Sequence, residues 1–159
     1  MADFTQYLRE PGLTVSVLAE DDMQEVVRLI NHAFAYQDEA KGRERITLDE
    51  LAQKMRKTNF YVIKQQDTIV ACVSLELRED CLYLGLLSVA DQMQGGKLAP
   101  KIMQAIDEYA KQLDYKRIDL SYGSASPWLK KYYERYGFAE TGETRDIGWS
   151  ELIDMSKSL

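Results

Sequence analysis

The chain has 159 residues, 45% of them hydrophobic and 29% charged, with a formal net charge of -6. That length suits one domain with a substantial core. The acidic balance argues against nucleic acid as a main partner, because phosphate neutralisation needs a basic face, and it leaves room for a cationic acceptor such as an amine. No apolar run reaches the roughly 18 residues that span a membrane, and residues 1–10 lack the apolar stretch of a secretory signal. Cys72 and Cys81 read as free thiols in a reducing cytosol, so a cytoplasmic location is expected. One histidine, His32, and no Cys-x-x-Cys argue against structural zinc.

Residues 1–12 read as a short arm, with a turn of helix near 3–9 ended by Pro11-Gly12. Thr14-Val15-Ser16-Val17-Leu18 alternates and is rich in β-formers, a strand pattern. A helix over about 20–34 follows, with Met23, Val26, Val27, Ile30, Ala33 and Phe34 at helical spacing. Residues 35–45 form a polar connection. Thr47 and Glu50 fit a capping box at the head of a second helix, about 47–57. Strands over 59–65, 68–77 and 82–89 are joined by short polar turns into an antiparallel meander. The third is apolar on both faces, as a covered central strand is. Gly85 within it marks a bulge or a close approach by a ligand.

The longest helix covers about 98–113 and buries Leu98, Ile102, Ala105, Ile106, Tyr109, Ala110 and Leu113. The alternating strand 117–122 comes next, at a distance that suits a parallel crossover. Ser126 as N-cap, Pro127 and Gly137 bound a short helix over 126–136. Two closing strands are expected over 138–141 and 147–155. No repeat or linker divides the chain, and residues 1–159 are read as a single domain.

A glycine pair separates the third meander strand from the long helix, in Gln94-Gly95-Gly96-Lys97-Leu98-Ala99. The first N–H groups of a helix lack partners, and its dipole favours negative charge there, so this turn is a candidate pyrophosphate site. It is not a P-loop, because Asp91 and Leu98 stand where glycine and Ser or Thr are needed. It is not a dinucleotide fingerprint either: the glycines are adjacent and the preceding strand belongs to an antiparallel meander.

The element order, this turn, and Tyr133-Glu134-Arg135-Tyr136-Gly137-Phe138 together resemble the GNAT-type N-acetyltransferase family, from residue 14 to about 155. In that family the turn reads Arg or Gln, two residues, Gly, any residue, Gly or Ala. Gln94 and Ala99 match, and Lys97 replaces the middle glycine. The resemblance implies an α/β, GNAT-like acyl-CoA N-acyltransferase fold: a mixed, mostly antiparallel sheet of about six to seven strands flanked by about four helices. It implies acetyl-CoA as co-substrate and no metal. Backbone amides of Gln94, Gly95, Gly96, Lys97, Leu98 and Ala99 would cradle the pyrophosphate, and backbone groups of Leu87 and Val89 would pair with the pantetheine arm. Glycine at position 97 would permit unusual φ, but an ammonium near pyrophosphate is favourable.

The implied reaction is transfer of the acetyl group to a primary amine by direct attack in a ternary complex. Tyr133 would protonate the departing thiolate, since a phenol of pKa about 10 stays protonated at pH 7. A packing role stands beside this, because Leu129, Tyr132, Tyr133 and Tyr136 share helical spacing. Glu76 is the candidate base, and equally a solvated carboxylate. Ser121 and Tyr122 end their strand where an acceptor would be lined. In this fold the acceptor pocket is shaped by residues 36–45 and 141–149, where Tyr36, Asp38, Glu39, Asp146 and Trp149 would either cage a cationic amine or stand as surface residues. The acceptor is a small molecule or a peptide, and homodimerisation is open. The alternative function is a non-catalytic acyl-CoA-binding sensor or interaction module of the same fold, favoured by the Lys97 departure and the insecure base.

Overall fold

In a computed structural model of the chain, residues 3–159 are described, apart from the side chains of Tyr36 and Glu39. Seven strands build one sheet: β1 (Leu13–Val17), β2 (Asn59–Gln65), β3 (Thr68–Leu77), β4 (Leu82–Val89), β5 (Arg117–Gly123), β6 (Ala139–Asp146) and β7 (Glu151–Ser158). Their order is β1-β2-β3-β4-β5-β7-β6. Among the described residues only the β4–β5 pairing is parallel, so the sheet is mixed and mostly antiparallel, as expected. The helices are α1 (Met23–Ala33), α2 (Asp38–Lys41), α3 (Leu48–Lys57), α4 (Leu98–Gln112) and α5 (Leu129–Glu134).

The sheet buries both faces. One face packs Ile63, Val73, Leu82, Ile118 and Met155 against Ile102 and Ile106 of α4. The other packs Phe60, Val62 and Cys72 against Val26 and Ile30 of α1 and Leu51 of α3. Each fully buried aliphatic side chain contributes about 1.5–3 kcal/mol. Both thiols are reduced and buried. Helix α3 starts with the expected capping box: the Glu50 amide donates to Thr47 Oγ1 at 3.2 Å, and the Thr47 amide to Glu50 Oε1 at 3.0 Å.

Four elements depart from the sequence reading; the first is β6, expected over 138–141, which runs on to Asp146 as the outer strand of the β6–β7 hairpin. The connection over 35–45 folds into a 3-10 turn, Ala35–Gln37, and then α2, closed by Gly42 at φ +81°. Helix α5 begins at Leu129, not at Ser126. Ser126 is wholly buried and its hydroxyl accepts from Gln37 Nε2 at 3.2 Å, a tertiary bond that displaces the N-cap role. The last strand begins at Glu151 rather than 147, because Ile147 and Gly148 belong to the hairpin turn. There the Ile147 amide bonds to the Ser150 carbonyl at 2.9 Å and Gly148 takes φ +92°.

The site depends on how β4 behaves. It pairs with β5 only at Leu82↔Ile118 and Tyr83↔Asp119. Past Tyr83 it continues beside β3 to Val89, while β5 continues beside β7 to Gly123. The β3–β4 register slips between Cys72 and Ser74, and Leu86 takes φ +50°. This is a bulge one residue beyond Gly85, and it re-aims the end of β4. A leucine in the left-handed region costs roughly 1–2 kcal/mol, so the surrounding sheet holds it there.

Candidate active site

Where β4 and β5 part, two cavities open side by side. The first has a volume of about 500 Å³ and is lined by Leu87 and Val89 of β4, by Gln94, Gly95, Gly96 and Ala99 of the turn, and by Tyr132, Tyr133 and Tyr136 of the α5 region. The turn leaves β4 through a 3-10 segment, Asp91–Met93. Gly95 then takes φ +80°, and a Cβ on Gly96 would lie 3.3 Å from the Met93 carbonyl oxygen. Lys101 N–H bonds to the Lys97 carbonyl at 3.1 Å. The amides of Leu98 and Ala99, at the first positions of α4, have no intrahelical acceptor, and Pro100 has no N–H to satisfy.

Not every residue expected at this turn faces the cavity. Leu98 points into the core at 4% exposure, and Lys97 is exposed. Lys97 takes φ -109°, an ordinary value, so the backbone does not demand glycine at that position. Gln94 Nε2 donates to the Val89 carbonyl at 3.3 Å and braces the turn. His32, in the last turn of α1, meets Asp91 Oδ2 at 2.6 Å and ties the helix to the same turn.

The second cavity has a volume of about 370 Å³. It shares Phe34, Leu87, Leu129 and Tyr133 with the first. Tyr132 and Tyr136 line only the first, so Tyr133 is the α5 tyrosine on the common wall. The Tyr132 ring stacks edge-on against Tyr133 at 5.2 Å. Burial, then the bond to Tyr136, raises the Tyr132 pKa. Glu76 reaches the second cavity, where Oε2 accepts from Arg78 Nη2 at 3.2 Å. Ser121 and Tyr122 line it as well. The Tyr122 hydroxyl donates to Glu140 Oε1 at 2.5 Å, and its pKa is pushed up to about 12, first by burial and then by that carboxylate.

Of the residues that would either cage a cationic amine or stand as plain surface, the described ones divide at this cavity. Trp149 is there; Asp38 and Asp146 are not. Asp146 Oδ1 instead accepts the Gly148 amide at 2.8 Å. The side chains of Tyr36 and Glu39 lie outside the described residues. The charged groups present are Lys41, Arg45, Lys54, Arg78 and Arg145, together with Glu76. They come from α2, the loop after it, α3, β3, the β3–β4 turn and β6. No local motif links them, so nothing in the sequence signals their convergence. Among the described residues no three His, Cys, Asp or Glu side chains gather as a metal site, and no helix is long and apolar enough to cross a membrane.

The sequence model of the acetyltransferase (GNAT) domain matches residues 24–159. The chain belongs to the GNAT acetyltransferase family. Solved structures of this GNAT acetyltransferase fold superpose well at low identity. A GNAT family acetyltransferase from Elizabethkingia anophelis with acetyl-CoA bound gives a TM-score of 0.67 at 16% identity, covering 94% of this chain and 100% of that one. Spermidine N-acetyltransferase from Vibrio cholerae, in complex with CoA and spermine, gives 0.67 at 21% identity, covering 94% and 96%. The ribosomal-protein-S18-alanine N-acetyltransferase from Escherichia coli gives 0.71 at 15% identity, covering 92% and 93%. A curated human relative, N-acetyltransferase 8B, is 24% identical over 102 residues. That match takes in 60% of this GNAT chain and 45% of the relative's own length.

Proposed function

We propose that this GNAT domain transfers an acetyl group from acetyl-CoA to a primary amine by direct attack in a ternary complex. The observation that carries the reading is the position of Tyr133, on the wall common to two adjoining cavities. The first cavity fits the co-substrate. Its turn offers unpartnered helix amides, approaches closely at Gly96, and adjoins a β4 edge that β5 has left. Bound acetyl-CoA supplies an acyl group activated as a thioester.

Backbone amides from Gln94 to Ala99 hold the pyrophosphate, and the main chain of Leu87 and Val89 pairs with the pantetheine amides as a further strand. The attacking amine stands in the second cavity. As its nitrogen bonds to the acyl carbon, Glu76 takes the amine proton, the C–S bond breaks, and the Tyr133 hydroxyl gives a proton to the leaving sulfur. The same reading covers a single domain acting in the cytoplasm.

Coenzyme A thiol release across a panel of amines tests the proposal. Acetyl-CoA should bind, raising the melting temperature, and at least one amine should release thiol above the no-amine rate. A protein that binds acetyl-CoA but acetylates no amine is the sensor module instead, and one that does not bind acetyl-CoA at millimolar concentration is neither.

A further inference from the structure

The chain carries a net charge of -6, yet its second cavity is basic. Among the described residues, five cationic side chains line it against the single carboxylate of Glu76. Part of that charge is locally paired: Arg78 with Glu76 at 3.2 Å, and Arg145 with Asp154 at 3.3 Å. Lys41 and Lys54 form no ion pair among the described residues, although Glu50 and Asp38 act on Lys41, and Glu76 on Lys54, at longer range. Lys41 Nζ donates to the Arg45 carbonyl at 2.7 Å and lies 5.7 Å from the centre of the Trp149 ring. The pKa of each lysine is lowered, first by burial and next by the charge of Arg45. Cations gathered under partial desolvation raise one another's energy until an anion joins them.

A second observation lies in the same cavity. Gln37 lines it at 5% exposure. Its Nε2 donates to Ser126, while its Oε1 is buried with no hydrogen-bond partner among the described residues. A buried carbonyl oxygen without a donor is destabilising until one is supplied. An N–H donor on a ligand fits it.

We propose that the acceptor is a small amine that bears its own anionic group, a carboxylate or a phosphate, with the anion held by Lys41, Lys54 and Arg78 and an amine N–H given to Gln37 Oε1. The proposal rests on the reading of the second cavity as the acceptor site. A volume of about 370 Å³ suits a small molecule. A polyamine meets like charge there instead. The positive field also disfavours the ammonium form of the bound amine, which eases loss of the proton before attack.

Matched amines test this: 4-aminobutyrate against butylamine, phosphoethanolamine against ethanolamine, and spermidine. The amine of the preferred anionic class should show kcat/KM about tenfold or more above its uncharged counterpart and above spermidine. The two pairs separate carboxylate from phosphate. Lys54→Gln should lower that preference about tenfold, with acetyl-CoA affinity unchanged as a check on folding. The dead-end complex with coenzyme A, titrated with the same amines by calorimetry, gives a readout that needs no turnover. Tighter binding of an anionic member and its loss in Lys54→Gln support the proposal. Equal or better use of the uncharged amine in both pairs, or of spermidine over both anionic amines, overturns it, and so does absence of heat from both anionic amines. Loss of acetyl-CoA binding in the parent protein would instead strike the acetyltransferase reading, so the two failures are distinguishable.

Discussion

The Tyr83 hydroxyl donates to Ser121 Oγ at 2.6 Å, across the last position at which β4 and β5 are still paired. Ser121 in turn donates to Asp154 Oδ1 at 2.6 Å and accepts from Arg145 Nη2 at 3.2 Å. One hydroxyl therefore joins β4, β5, β6 and β7 at the root of the cleft. Ser121→Ala strips a partner from each of three polar groups. It should destabilise the fold by about 1–3 kcal/mol, read from urea unfolding.

Tyr133→Phe keeps the ring against Tyr132 and Phe138 and removes the hydroxyl. If that hydroxyl protonates the leaving thiolate, kcat should fall about 100-fold or more while acetyl-CoA affinity stays within about twofold. Steady-state kinetics beside calorimetry separate the two quantities. An unchanged kcat removes Tyr133 from the chemistry and leaves it a packing ring.

The turn offers a paired test of backbone conformation. A Cβ on Gly95 would meet nothing within 4 Å, yet φ is +80°. Gly95→Ala should therefore destabilise by roughly 1–2 kcal/mol through conformation alone. Lys97 sits at φ -109°. Lys97→Gly should change acetyl-CoA affinity by less than about threefold and lower stability by about 0.5–1 kcal/mol through the freedom glycine gains when unfolded. A large loss of affinity would make the ammonium itself a pyrophosphate ligand.

The Arg43 hydrogen bond, followed by the Thr47 amide, lowers the Glu50 pKa from 4.5 to about 2. A depressed carboxylate contributes stability that is fully present above the unfolded value and is lost as pH falls through the folded one. Glu50→Gln should flatten the fall in stability between about pH 4.5 and 2 without changing its form near neutrality. Denaturant unfolding at stepped pH measures this. Thr47→Ala removes the other half of the capping box at a cost of about 1 kcal/mol.

Burial pushes the Cys72 thiol up to about 12 and the Cys81 thiol up to about 11. Neither forms much thiolate at pH 8, where aromatic disulfide reagents are used. The folded protein should react with them slowly, and both thiols should react promptly in urea. A rapid native reaction at either position would show that its cover opens readily.

Local patterns carried most of the fold into the sequence. Thr47 and Glu50 announced the start of α3, short polar turns between closely spaced strands announced the meander, and Tyr133 to Phe138 with the Gln94 turn announced the family. What local patterns missed are features decided by distant partners. Ser126 and Pro127 spell a helix start, but Gln37, 89 residues away, takes the hydroxyl. The acidic overall balance left room for a cationic acceptor but gave no sign that Lys54 and Arg145 reach the cavity from α3 and β6. Net charge averages over a surface and says nothing of a concavity. The divergence of β4 from β5 was equally hidden, since both strands read as ordinary buried β.

That divergence leaves the sheet as two leaves bound along a short spine. Among the described residues the ladder across the spine consists of Leu82↔Ile118 and Tyr83↔Asp119. The remaining grip between the leaves is partly polar, through the Tyr83–Ser121 bond and the Arg117–Asp80 ion pair, and partly apolar: Leu82 and Val73 on one side, Ile118 and Met155 on the other, with Ile102 and Ile106 of α4 packed against both. Apolar contact of that kind slackens on cooling, whereas each leaf is internally laced by main-chain bonds. The apolar share of that grip, and its response to temperature, is therefore set by α4, the same helix whose first turn borders the first cavity.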